Sequence, residues 1–148
     1  MNTHTTTKEK TMTDTITLAE AIAHTGTDVL DYLDREVSVP VVTRAACQGD
    51  VSILRVTTQA ATKPLPKYLA VVRGESGGNT HALHPDGECY FDPAVVREDS
   101  LVLGTLTVAE GSTALLSHPE HGYLSIAPGT YRIGRQREWA GEWALVAD

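Results

Sequence analysis

Four of the six histidines of this chain fall in two short stretches, His81 with His84 and the run His118-Pro119-Glu120-His121. Imidazole is the commonest metal-ligating side chain, so this concentration reads as a metal site. On a strand, residues three apart point to opposite faces, and Pro119 and Gly122 oppose a helix; a tight turn remains, in which His118 and His121 can converge. A third ligand is expected from the loop Gly74-Glu75-Ser76-Gly77-Gly78-Asn79-Thr80-His81, whose three glycines allow close backbone approach. The period of two places Asn79 and His81 on one strand face and His84 on the other. Three neutral imidazoles with an open position describe a catalytic-type zinc site, or a facial site for iron, manganese or nickel. The competing reading of the same residues is surface turn histidines, or hydrogen-bonded fillers beneath a loop. Glu120 is a candidate general base, but the helical HExxH geometry is missing, and a solvated turn carboxylate is the plainer reading.

A second unusual stretch is Tyr131 to Trp139, where Arg135 and Arg137 interrupt a row shared by Tyr131, Ile133 and Trp139. Buried arginine requires a partner, and a guanidinium fork suits carboxylate or phosphate. The alternatives are an anion or small-ligand site, a structural ion pair to a carboxylate such as Glu88, Asp92 or Glu110, and a solvated edge strand. Cys47 and Cys89 read as reduced thiols, Cys89 within an apolar run. No nucleotide-binding loop, nucleophile elbow or CxxC pair is present.

The elements that must position these residues are mainly strands. Residues 1–14 hold six threonines and no apolar side chain beyond two methionines; a disordered leader is expected, and Met12 is an alternative start to Met1. Over 15–36 a helical hairpin is expected: Thr17 and Glu20 form a capping-box pattern, Gly26 ends the first helix, and Val29, Leu30 and Leu33 recur at helical spacing in a second. From Val37 the period drops to near two. Candidate strands cover 39–43, 51–57, 68–73, 80–84, 88–91, 101–108, 112–117, 123–126, 131–139 and 143–146, separated by turns such as Gln48-Gly49-Asp50 and Pro85-Asp86-Gly87. The spacing predicts a mainly β domain over 37–148, an antiparallel barrel or sandwich preceded by two short helices.

With 148 residues and 21% charged residues, the chain fits one ordinary globular domain. The net charge of −7 argues against nucleic acid as a partner, although a local basic patch remains open. No apolar run approaches a membrane span, and the start lacks a secretory signal, so a cytoplasmic location without membrane association is expected.

Gln48-Gly49-Asp50-Val51, the glycine loop ending at His81, His118-Pro119-Glu120-His121, Gly129-Thr130-Tyr131 and Arg135-Gln136-Arg137-Glu138-Trp139 occur in that order. In this the chain resembles an uncharacterised family of small bacterial and phage proteins with a QGDV strand, a GExTGHxH loop, an HEEH turn and GTY and RQREY strands. Asn79 stands where that family's first loop histidine belongs. The resemblance implies His81, His118 and His121 as ligands, with Asn79 a weak oxygen ligand or an outer donor, and supplies no activity. A looser similarity to cupins concerns architecture only.

The leading expectation is therefore a soluble β-domain holding a divalent metal, zinc first, with no reaction assigned. If it is an enzyme, a metal-dependent hydrolase or oxygenase is implied. The alternatives are a non-enzymatic interaction module of a phage or of a bacterial defence or regulatory system, with an unidentified protein partner, and an anion binder using Arg135 and Arg137.

Overall fold

The computed structural model describes residues 15–74, 79–95, 101–139 and 143–145, with the last six positions of this set that form a hairpin, 137–139 and 143–145, described by backbone alone. The expected leader over 1–14 lies outside the described residues, as do Glu75 to Gly78.

One helix, α1 (Leu18–Thr25), opens the described chain. Thr17 caps it: its side chain accepts from Glu20 N at 3.2 Å while Glu20 accepts from Thr17 N at 3.3 Å. Gly26, at φ 73°, donates to the Ile22 carbonyl and stops it. The expected second helix is instead a series of turns. Arg35 explains why: its guanidinium donates to the carbonyls of Leu30 (2.7 Å), Leu33 (2.8 Å) and Val29 (3.0 Å) and to Asp28 Oδ1 (3.1 Å). Those carbonyls are the acceptors that helical N–H groups would need, and Leu30 N is drawn away to the Pro119 carbonyl. Arg35→Gln is accordingly expected to destabilise the protein by about 2–3 kcal/mol, the range for losing charge-assisted hydrogen bonds, read from urea unfolding.

The strands are β1 (Val41–Val42), β2 (Ala45–Gln48), β3 (Val51–Arg55), β4 (Leu69–Val72), β5 (His81–Asp86), β6 (Cys89–Pro93), β7 (Val102–Val108), β8 (Thr113–His118), β9 (Gly122–Ile126), β10 (Gly129–Arg135), β11 (Arg137–Trp139) and β12 (Trp143–Leu145). They form two five-stranded sheets, ordered β1-β9-β8-β5-β4 and β2-β3-β10-β7-β6, and a separate β11-β12 hairpin. Neither five-stranded sheet closes into a barrel among the described residues; a sandwich-like arrangement fits. Every pairing is antiparallel except β1 with β9, where Val41 lies beside Ser125 in a parallel register. Pro85, expected in a turn, belongs to β5. Beyond Leu83, β4 no longer pairs with that strand, so the missing proline N–H leaves no ladder bond unmade on that side.

The core lies between the sheets. Leu83, Leu116 and Ile126 from one meet Ile53, Leu106 and Ile133 from the other, each contributing roughly 1.5–3 kcal/mol by leaving water. A second cluster packs Leu18 and Ala21 of α1 on Leu115 and Tyr123, and the Tyr123 hydroxyl donates to the Thr27 carbonyl at 2.6 Å. Side-chain alternation then fixes which groups enter the core. Leu83 and Leu116 face inward, so His81 and His118, two positions away along β5 and β8, share that inner face. Ile133 does the same for Arg135 on β10.

Candidate functional site

At one end of the inner face the apolar core gives way to a polar cluster. His81 is fully buried, His118 is 1% exposed and Asp50 is 1% exposed. Gln48, the last residue of β2, donates through Nε2 to the carbonyls of Leu116 (3.1 Å) and Gly122 (3.3 Å). That fixes its Oε1 toward His81 Nδ1 at 2.9 Å, so Nδ1–H is the donor there. His81 Nε2 stands 3.0 Å from Asp50 Oδ1, and Arg135 donates to Asp50 Oδ2 at 3.1 Å. The turn Gln48-Gly49-Asp50, with Gly49 at φ 56°, thus places an amide and a carboxylate on either side of one imidazole.

His118 ends β8, and its Nδ1 accepts from the backbone N–H groups of Glu120 (3.1 Å) and His121 (3.2 Å). The ring closes the turn that leads to His121. Its centroid lies 4.3 Å from that of His81 and 4.4 Å from that of His121, while His81 and His121 are 6.5 Å apart. The three expected imidazoles therefore do meet, at the junction of β5, β8 and the β8–β9 turn. His121 is exposed and borders a cleft of about 230 Å³ beneath Leu18, Leu33, Val37 and Tyr123.

The other expected residues are placed differently. Asn79 lies beside Gly74, where an added Cβ would fall 2.6 Å from Asn79 N, two residues before β5. Glu120 is exposed and contributes its N–H to His118. Arg135 is committed to the buried Asp50, the ion-pair alternative with a carboxylate other than the three proposed partners. The Arg137 side chain lies outside the described residues. Gln48 and Asp50 join the site although their sequence signals only a turn; the one local sign of more is a pair of polar residues flanking Gly49 at the mouth of the apolar strand β3.

His84 faces the other side of its sheet, as the period of two requires, and shares no ring contact with the cluster. Its Nε2 lies 2.8 Å from Ser117 Oγ, with Tyr68 and Tyr123 around it. Burial holds its pKa below the ordinary 6.5. The unfolded chain thus binds the proton first: the stability contributed is complete above about pH 6.5 and is lost as pH falls through the depressed folded value. His84→Gln should flatten this acid limb of the urea-midpoint profile between pH 8 and pH 5.

The cluster shares some features with cation sites and lacks others. Burial, a carboxylate beside an imidazole, and an amide oxygen that orients His81 through its other nitrogen are what such a site uses. The ring orientations are those of a hydrogen-bonded cluster. Among the described residues no three His, Cys, Asp or Glu side chains gather their donor atoms around one point. Ligation by His118 Nε2 requires its Nδ1 to carry the proton, and hence to release the two backbone N–H groups it now accepts.

Fold and cluster together define a small two-sheet β-domain with histidine rings and an Asp–Arg pair buried at one end. The chain belongs to a domain family of unknown function, DUF8820, whose match covers residues 47–136, more than half of the sequence. The match runs from β2 to the end of β10 and includes Gln48, Asp50, His81, His118, His121 and Arg135, but not α1. No curated protein and no solved structure matches the chain. No helix among the described residues is long and apolar enough to cross a membrane.

Proposed function

We propose that this domain binds a divalent cation through His81, His118 and His121, with Asp50 as an oxygen ligand and Asn79 at the margin of the site. The observation that supports this most is the meeting of imidazoles from β5, β8 and the following turn, at 4.3 and 4.4 Å, against a buried carboxylate. Isolated buried imidazoles would be content with one hydrogen bond each; two buried rings in contact beside an acid, with the exposed His121 stacked on the second, are an unusual use of space. Gln48 orients His81, and Arg135 holds Asp50 in place while offsetting its charge. His121, on the cleft side, leaves the site open toward solvent. A cation held there would supply Lewis acidity toward a carbonyl or phosphoryl oxygen.

Zinc is the first candidate, because imidazole nitrogens dominate the donor set. Protein purified without a histidine tag, loaded with zinc and dialysed, is expected to retain about one equivalent, as a single site of this donor type should. Retention well below one equivalent, with no saturable zinc binding by calorimetry, would overturn the proposal.

A further inference from the structure

On one flank of the sandwich an edge strand of each sheet, β4 and β6, lines an apolar cavity of about 390 Å³. Leu69 and Val71 of β4 form one wall, Phe91 of β6 and Leu103 of β7 a second, and residues 63–66 a third. All four of these side chains also pack on the core between the sheets, so the cavity continues the inner faces. Phe91 is 7% exposed, whereas Leu69, Val71 and Leu103 are half-buried. The cavity thus has an apolar floor and an open mouth.

The third wall is held by the protein itself. Phe91 N donates to the Lys63 carbonyl at 2.7 Å and Leu65 N to the Cys89 carbonyl at 2.9 Å, which lays this segment antiparallel along β6. The Asp92 carboxylate accepts from Thr62 N at 3.1 Å and from Lys63 N at 2.9 Å. A Cβ at Gly104 would collide with the Phe91 ring, so the glycine leaves that ring its place against β7. The same pairing orients Lys63. Pro64 lies opposite Tyr90, so Lys63 lies opposite Phe91 and shares its inner face, while Asp92 belongs to the outer one. Lys63 is the one charged side chain lining the cavity among the described residues. It enters none of the ion pairs among them, which involve His24, Arg35, His81 and Arg135. Its methylene stem extends the apolar wall, and its ammonium stays at the wet mouth.

We propose that this cavity binds a medium-chain carboxylate, its hydrocarbon tail against Leu69, Val71, Phe91 and Leu103 and its head on the Lys63 ammonium. A chain on the order of eight to twelve carbons suits a volume near the lower end of small-molecule sites. The tail is driven in by leaving water, and the one unpaired cation at the mouth selects the charge of the head. Walls with no other polar side chain would leave the hydroxyls of a sugar or nucleotide without partners. The site shares no residue with the histidine cluster, so it stands or falls independently of cation binding.

Calorimetric titration of the full chain in metal-free buffer at mildly alkaline pH, with octanoate, 1-octanol and acetate, tests this. Saturable binding of octanoate is expected, with 1-octanol weaker and acetate not bound. Lys63→Gln should lower octanoate affinity about fivefold, the upper range for an exposed ion pair, and leave 1-octanol unaffected. Lys63 is exposed, so an unchanged Tm in that variant would show that the loss is local. Val71→Trp, which fills the cavity, should abolish binding of both; if it does not fold, Lys63→Gln alone decides. Absence of saturable octanoate binding at millimolar concentration would overturn the proposal. So would 1-octanol binding as tightly as octanoate, equal octanoate affinity in the parent and Lys63→Gln, or undiminished binding by a folded Val71→Trp.

Discussion

Asp50→Ala is expected to lower the unfolding free energy by about 3–5 kcal/mol, the range for breaking a buried ion pair from one side. The carboxylate is almost wholly enclosed and faces Arg135 on one oxygen and His81 on the other. Removing it leaves the enclosed His81 Nε2 and the Arg135 guanidinium, whose side chain is 29% exposed, without this carboxylate. Asp50→Asn should be milder, because the amide oxygen still accepts one of the two contacts. Urea unfolding of the three proteins measures the order, and a loss below about 1 kcal/mol for the alanine variant would show that the pair is already solvated.

His81→Ala is expected to weaken zinc binding at least about 100-fold, and Gln48→Ala roughly 10-fold to 100-fold, the range for removing the group that orients a ligating histidine. The gradation follows from the geometry. Gln48 holds His81 Nδ1 through Oε1 while its amide nitrogen is fixed by two carbonyls. Its removal frees the ring to turn without deleting a donor. His84→Gln, on the opposite sheet face, serves as the control and should leave zinc affinity unchanged. Equal affinities across all four proteins would place any bound zinc elsewhere.

Which parts of this arrangement were readable from the sequence follows from the range of the forces involved. The capping box at Thr17 and the stop at Gly26 are local hydrogen-bond patterns, and α1 lies where they put it. Alternation of apolar residues located most strands and put His81 and His84 on opposite faces. The turns over 28–37 are not legible locally, because Val29, Leu30 and Leu33 have helical spacing whereas the deciding contacts come from one side chain, Arg35, and from Pro119, far along the chain. Strand β2 has no local signal, because Ala45, Ala46 and Cys47 carry little strand preference of their own; pairing with β3 makes them a strand. The histidines were legible as a set, since residue type survives any fold. Asp50 and Gln48 were not, because their roles depend on which β-turn the chain places beside β5, a consequence of sheet order. The partner of Arg135 was hidden for the same reason.

Anomalous diffraction at the zinc absorption edge, from crystals of the untagged protein grown with zinc, tests the central claim most directly. A single strong peak within about 2.0–2.2 Å of ring nitrogens from His81, His118 and His121 is the predicted result. Density showing His118 Nδ1 still accepting from Glu120 and His121, with no anomalous peak among the three rings, would contradict it.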